Sequence, residues 1–260
     1  VRFMGDKIFI FPSTKEVAKA LAAYVLQAAA EAVADRQRFT LALSGGSAMT
    51  LLAEGLRSMP PSTPVDGAVW HIYWADERCV PKTDADSNFA AAQQAWLSTT
   101  PIPPDQIHAI DDTLSPGAAA AAYARELAAG LQPSNGEFPQ FDLILLGMGE
   151  DGHTASLFPG HPAVEEANRW VVAVEDSPKP PPSRITLTLP VINRARQVAI
   201  IATGGGKAAV LARVRKGTTP FLPVQRIHPF AGELRWFLDS SAAGLSPEDP
   251  DMKQGAPYVE

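Results

Sequence analysis

The sequence predicts an α/β fold, a mostly parallel open sheet with helices on both faces, and three observations carry that prediction. Strand-length apolar segments alternate with helix-favouring segments along the whole chain. Several of those strands run straight into glycine-rich turns, as strands do at the ligand-binding edge of open parallel sheets. At 260 residues, 46% hydrophobic and 19% charged, the chain can bury a full core, so a single domain over 1–260 is expected, with a loosely held tail over 246–260.

The elements follow in order. Strands are expected at residues 7–11, 39–43, 69–74, 141–146, 170–174, 184–187 and 197–202, with a late one at 233–238. The clearest helices run from Ser13 to about residue 34 and from Ser115 to about residue 129. Each opens on a serine in cap position before alanine-rich sequence. Further helices are expected to start near Ser47, Ser87 and Gly205. Proline marks the loops 60–64, 101–104 and 177–183, the last being SPKPPPS, which reads as a stiff connector between strands. There are no internal repeats. The first residue is Val1, and 7–11 is a strand-length run rather than the apolar core of a signal.

Composition excludes several function classes. No run approaches the roughly 20 continuous apolar residues of a membrane span, so a soluble chain without a membrane partner is expected. The formal net charge of -6 argues against a broad nucleic-acid surface, and an anionic ligand must be held by a local basic cluster. Cys79, the single cysteine, rules out an internal disulfide, fits a reducing compartment, and reads as a small buried residue rather than a nucleophile.

Four strand ends offer chemistry. FTLALSGGS at 39–47 ends a strand in two glycines and starts a helix, so its free backbone N–H groups, the helix dipole and the hydroxyls of Ser44 and Ser47 make an anion turn. Asp76, Glu77 and Arg78 follow the next strand and read, in isolation, as a solvated turn. FDLILLGMGEDGHTASLFPG at 141–160 delivers Glu150, Asp151 and His153 together on a glycine turn, which makes His153 the first place to look for catalysis. Its Gly147, Gly149 and Gly152 match the dinucleotide spacing G-x-G-x-x-G. Pro159 and Pro162 break the helix such a site requires, which removes that reading. TGGGK at 203–207 offers Lys207 to a phosphate but has Ala208 where a nucleoside triphosphatase needs serine or threonine for magnesium.

Taken together, the blocks LSGGS at 43–47, WADER at 74–78, DSNF at 86–89, GMGEDGHTASLFPGHP at 147–162, SPKPPPSRITLTLPVIN at 177–193 and TGGGKA at 203–208 resemble the 6-phosphogluconolactonase family over nearly the whole chain, most closely its plant-type branch. The resemblance implies a modified Rossmann-like fold of the sugar-phosphate isomerase type. It implies hydrolysis of 6-phospho-D-glucono-1,5-lactone to 6-phospho-D-gluconate, without metal or organic cofactor. His153 matches the family's catalytic histidine. Asp76 and Asp151 match acidic positions that contact sugar hydroxyls or orient the histidine. Ser44, Gly45, Gly46, Ser47, Arg184 and Lys207 match phosphate-binding positions, with Arg78 close to the same substrate. Whether Glu150 or Asp151 faces His153 is open at this point. The expected partner is the sugar-phosphate lactone alone, the expected state a monomer, and the expected compartment chloroplast stroma or cytosol.

The related glucosamine-6-phosphate deaminases are the nearest rival. They carry a tyrosine where this chain has Arg78, and a carboxylate shortly after the histidine that HTASLFPG lacks. A third expectation, a non-catalytic sugar-phosphate sensor, conflicts with the retention of His153.

Overall fold

A computed structural model describes residues 6–60, 65–217 and 219–245. The proline loop at 60–64, Val1 and the tail after 246 therefore fall outside the described residues, wholly or in most of their length. The chain runs β1 (Lys7–Phe11), α1 (Thr14–Arg36), β2 (Phe39–Leu43), α2 (Ser47–Ser58), β3 (Trp70–Trp74), β4 (Asp76–Arg78), α3 (Asn88–Ala95), α4 (Pro116–Leu131), β5 (Leu143–Gly147), β6 (Val171–Val174), β7 (Arg184–Leu187), α5 (Leu189–Ile192), β8 (Gln197–Ala202), α6 (Ala208–Lys216), β9 (Glu233–Asp239) and α7 (Ser240–Ala243).

Six strands form a wholly parallel sheet in the order β1-β9-β8-β5-β2-β3. Its central strands are apolar on both faces because both are covered. In β5, Ile144 and Leu146 enter one core while Leu143 and Leu145 enter the other; β8 divides Val198 and Ile200 from Ala199 and Ile201 in the same way. One core is closed by α1, α2 and α3, the other by α4, α6 and a second, smaller sheet. By length and composition α1 could cross a membrane, yet half of its most apolar window is buried in the protein.

The second sheet corrects the expectation of one sheet. β7 pairs with both β4 and β6 in an antiparallel set ordered β4-β7-β6. Ala75 is the hinge between the two, its N–H donating to Leu43 O in the large sheet at 2.7 Å and its carbonyl accepting from Leu187 N in the small one at 2.8 Å. The cap positions are as expected, but their hydrogen bonds differ. Ser13 and Ser115 do occupy the N-cap positions of their helices, but neither hydroxyl makes the cap hydrogen bond, and that of Ser13 donates to Glu16 instead, whereas Ser87 caps α3 with its side chain by accepting from Ala90 N at 3.1 Å.

Strand order reverses between β2 and β5. From β2 the chain steps outward to β3; from β5 it steps the other way to β8 and β9. The crevice beyond the C-terminal ends of β2 and β5 is the topological switch point where open parallel sheets bind ligands.

Candidate active site

Three loops leave the sheet side by side at that crevice, following β2, β5 and β8, since Leu43 pairs with Leu145 and Gly147 with Ile201. The loop after β5 carries His153. Its Nδ1 lies 2.5 Å from Asp151 Oδ1, and the same carboxylate oxygen accepts the His153 backbone N–H at 3.2 Å. Asp151 is thus the orienting acid, while Glu150 is exposed. A carboxylate accepts only, so the ring donates from Nδ1 and Nε2 is left with its lone pair. The turn has no room for a side chain at Gly149, where a Cβ would sit 2.0 Å from His153 Nδ1 and 2.5 Å from Asp151 Oδ1.

Burial lowers the His153 pKa, against the Asp151 hydrogen bond and charge that raise it, and the net shift is downward. Burial pushes the Asp151 carboxyl up, but the hydrogen bond and charge of His153, with Lys179, outweigh it and hold that group below the ordinary carboxylate range. The pair therefore rests as neutral imidazole beside carboxylate at neutral pH.

The DER turn is neither a turn nor solvated. Asp76 and Glu77 sit in β4 at 4% and 3% exposure. Asp76 accepts from Ser44 Oγ and from Ser156 Oγ, both at 2.8 Å, so each carboxylate oxygen has a hydroxyl and neither touches His153. Glu77 takes the backbone N–H groups of Arg78, Asn88 and Phe89, each at 2.7 Å, and so closes the start of α3. Burial raises its pKa despite those donors. The Asn88 amide in turn donates to Asp76 O at 2.8 Å and lies against Gly45, where a Cβ would meet its Oδ1 at 2.0 Å.

The expected phosphate contacts divide into two kinds. Ser47 and Gly46 are exposed at the start of α2, which no side chain caps, and the ammonium of Lys207 makes no hydrogen bond or ion pair among the described residues. Arg184 is 4% exposed and its donors are engaged: Nε with Pro181 O at 3.0 Å, Nη2 with Lys179 O at 3.0 Å and Pro180 O at 3.1 Å, Nη1 with Ser156 Oγ at 3.4 Å. It pairs across the small sheet with Arg78, whose Nη1 donates to Asp86 O at 2.6 Å and whose buried Nε has no partner. Burial lowers the Arg184 pKa, and the Arg78 charge adds to that. Two arginines thus stand opposite each other in the small sheet.

Three neighbours were not singled out by sequence reasoning. Phe158 packs its ring 4.7 Å from the His153 ring and 5.5 Å below the Arg184 guanidinium. Ser156 bridges Asp76 and Arg184. Lys179, from the SPKPPPS loop, brings Nζ to 3.5 Å from His153 Nδ1 and 3.7 Å from Asp151 Oδ1. The only hint of these was their place inside the conspicuous blocks. Cys79 is half-buried, its thiol pushed up to about 11 by burial, which leaves it unreactive. Among the described residues no cluster of His, Cys, Asp or Glu could hold a metal.

The chain matches the family described as glucosamine-6-phosphate isomerases/6-phosphogluconolactonase over residues 12–236. It is 43% identical over 248 residues to a probable chloroplastic 6-phosphogluconolactonase of Oryza sativa subsp. indica, covering 92% of this chain and 75% of that one. With the 6-phosphogluconolactonase of Rattus norvegicus it shares 45% identity over 240 residues, covering 92% and 93%. Among solved structures, the 6-phosphogluconolactonase of Trypanosoma cruzi superposes with a TM-score of 0.79 at 30% identity, covering 94% of this chain and 97% of that one.

Proposed function

Because the chain belongs to the glucosamine-6-phosphate isomerase/6-phosphogluconolactonase family, we propose that it hydrolyses 6-phospho-D-glucono-1,5-lactone to 6-phospho-D-gluconate through water activated by His153. It is a lactone hydrolase of the 6-phosphogluconolactonase type, acting in the pentose phosphate pathway. The observation that carries the histidine step is the pairing of His153 Nδ1 with Asp151 at 2.5 Å on a strand-end loop.

In this scheme Nε2 takes a proton from water as the water oxygen bonds to the lactone carbonyl carbon. The imidazolium that forms is stabilised by Asp151, as an anion next to a base stabilises its protonated form. Collapse of the tetrahedral intermediate breaks the bond from C1 to the ring oxygen, and the ring oxygen takes the proton back from Nε2. No net proton is left on the enzyme by that sequence. Asp76 serves by fixing Ser44 and Ser156, and with them the strand-end turn and Arg184. The phosphate is held by Lys207, the Gly45-Gly46-Ser47 turn at the start of α2, and the Arg78–Arg184 pair. Binding the remote phosphate positions the carbonyl before the histidine.

A coupled assay tests the reading. Freshly generated 6-phosphogluconolactone should disappear faster with the protein than by its spontaneous hydrolysis, and equal rates would refute the proposal. Glucosamine 6-phosphate should release no ammonia, because no carboxylate follows His153 in HTASLFPG to open and isomerise the sugar.

A further inference from the structure

The loop 177–183 is held in a way that a mere connector would not need. Arg184 donates to the carbonyls of Lys179, Pro180 and Pro181 in succession. The Ser177 hydroxyl donates to Lys179 O at 2.8 Å and accepts Lys179 N–H at 3.2 Å, and Ser177 N donates to Pro182 O at 3.1 Å. Every one of these bonds fixes the backbone of Lys179 or its neighbours. The side chain so delivered is a cation beside the base.

Resting on the lactonase reading above, we infer that Lys179 is a positioning residue of that reaction: its ammonium competes with the His153 imidazolium for the single Asp151 carboxylate, and so keeps the ring in its uncharged, proton-accepting form. The charged groups that act on the ring are Asp151 on its own loop, Lys179 from the proline loop and Asp76 from β4. Asp151 and Asp76 favour the imidazolium, and Lys179 opposes it. Asp76 does so from a distance, with both oxygens already bound by hydroxyls. Lys179 is thus the local cation that offsets the carboxylate within the dyad, and without it Asp151 would hold the histidine protonated further into the working pH range. Its side chain is 44% exposed, so the effect is that of a charge about 4 Å away through water, roughly a three- to tenfold bias in the protonation equilibrium.

The test compares Lys179→Met and Lys179→Arg in the full chain. Background-corrected kcat/KM of Lys179→Met should fall about three- to tenfold more on the acid limb of the profile than on its plateau. Lys179→Arg should restore most of the profile. An equal loss at every pH that vanishes with unphosphorylated gluconolactone would instead make Lys179 a phosphate ligand and overturn the inference. An NMR titration of His153 without substrate gives an independent reading, since Lys179→Met should raise its midpoint. If that midpoint rises while the wild type lacks lactonase activity, the lactonase reading fails and the coupling stands; an active wild type with an unmoved midpoint and profile sinks the coupling alone.

Discussion

At the N-terminal ends of β2 and β5, Asp142 accepts the Thr40 N–H and hydroxyl, both at 2.8 Å, Arg36 Nε at 2.9 Å, and an ion pair with Arg196 at 3.5 Å. There Arg38 donates to Gly130 O and Leu131 O at the end of α4, and Arg194 pairs with Glu137. At the C-terminal ends of β5 and β8, by contrast, His153 Nε2 and the Lys207 ammonium make no hydrogen bond among the described residues. Both ends are rich in charge, and the first even lines a cavity of about 270 Å³. Among the described residues, Arg194 Nε and the Tyr73 hydroxyl, which lies against Gly130, are buried there without a hydrogen-bond partner. What separates a site from a structural knot is whether the charge has already been spent on the fold. The charges around Asp142 are paired within the fold, whereas His153 Nε2 and the Lys207 ammonium keep hydrogen-bonding capacity for a ligand.

The comparison breaks first at His153. His153→Ala should lower kcat by about 10² to 10⁴-fold with little change in KM or melting temperature, the range for losing general acid-base catalysis. Wild-type turnover in that variant would place the chemistry elsewhere.

Lys207→Ala should cost roughly 10 to 150-fold in kcat/KM, mostly through KM, the equivalent of one charge-assisted hydrogen bond. Unphosphorylated gluconolactone should be hydrolysed by wild type and variant at similar low rates. An equal loss on both substrates would put Lys207 at the reacting carbonyl or in the fold.

The opposite end should answer differently. Asp142→Asn leaves Arg196 without its counter-charge and Arg36 with only its neighbour Asp35, and the two arginine side chains are 44% and 28% exposed, so solvent screens part of the loss. A cost of about 1–3 kcal/mol is expected, read as a melting temperature lower by several degrees, with kcat per folded molecule unchanged. Lost turnover at an unchanged melting temperature would erase the distinction between the two ends.

Much of this was legible in the sequence. All eight expected strands match within two residues at each end, because long apolar runs bounded by glycine and proline are local signals, and the ninth strand, β4, is the one that was read as a turn. The strand-end turns with His153, Ser44 and Lys207 were read from glycine spacing in the same way. What escaped was set by partners far along the chain. Asp76, Glu77 and Arg78 look like a solvated turn because the groups that satisfy them, Ser156, the amides of Asn88 and Phe89, and Asp86 O, lie 8 to 80 residues later. The split into two sheets turns on the hinge at Ala75, whose bonds to Leu43 and Leu187 no local pattern announces. Adjacency could not choose between Glu150 and Asp151, because the choice depends on how a turn without a Cβ at Gly149 folds the ring back. Lys179 was hidden inside a proline run that reads as a connector.

Base catalysis at the open end of the sheet needs His153 held neutral with its Nδ1 proton directed at Asp151. Group-specific ¹⁵N and ¹³C NMR of the His153 ring, assigned by comparison with a His153→Gln spectrum, measures this without substrate. Since burial lowers the folded pKa, the ring should stay uncharged down to a midpoint below the ordinary value of about 6.5, and below it catalysis should fall as the base is protonated. The predicted spectrum shows the Nδ1-protonated tautomer above that midpoint. An Nε2-protonated ring, or a midpoint above 6.5, would contradict the claim that the open end of the sheet holds a ready base.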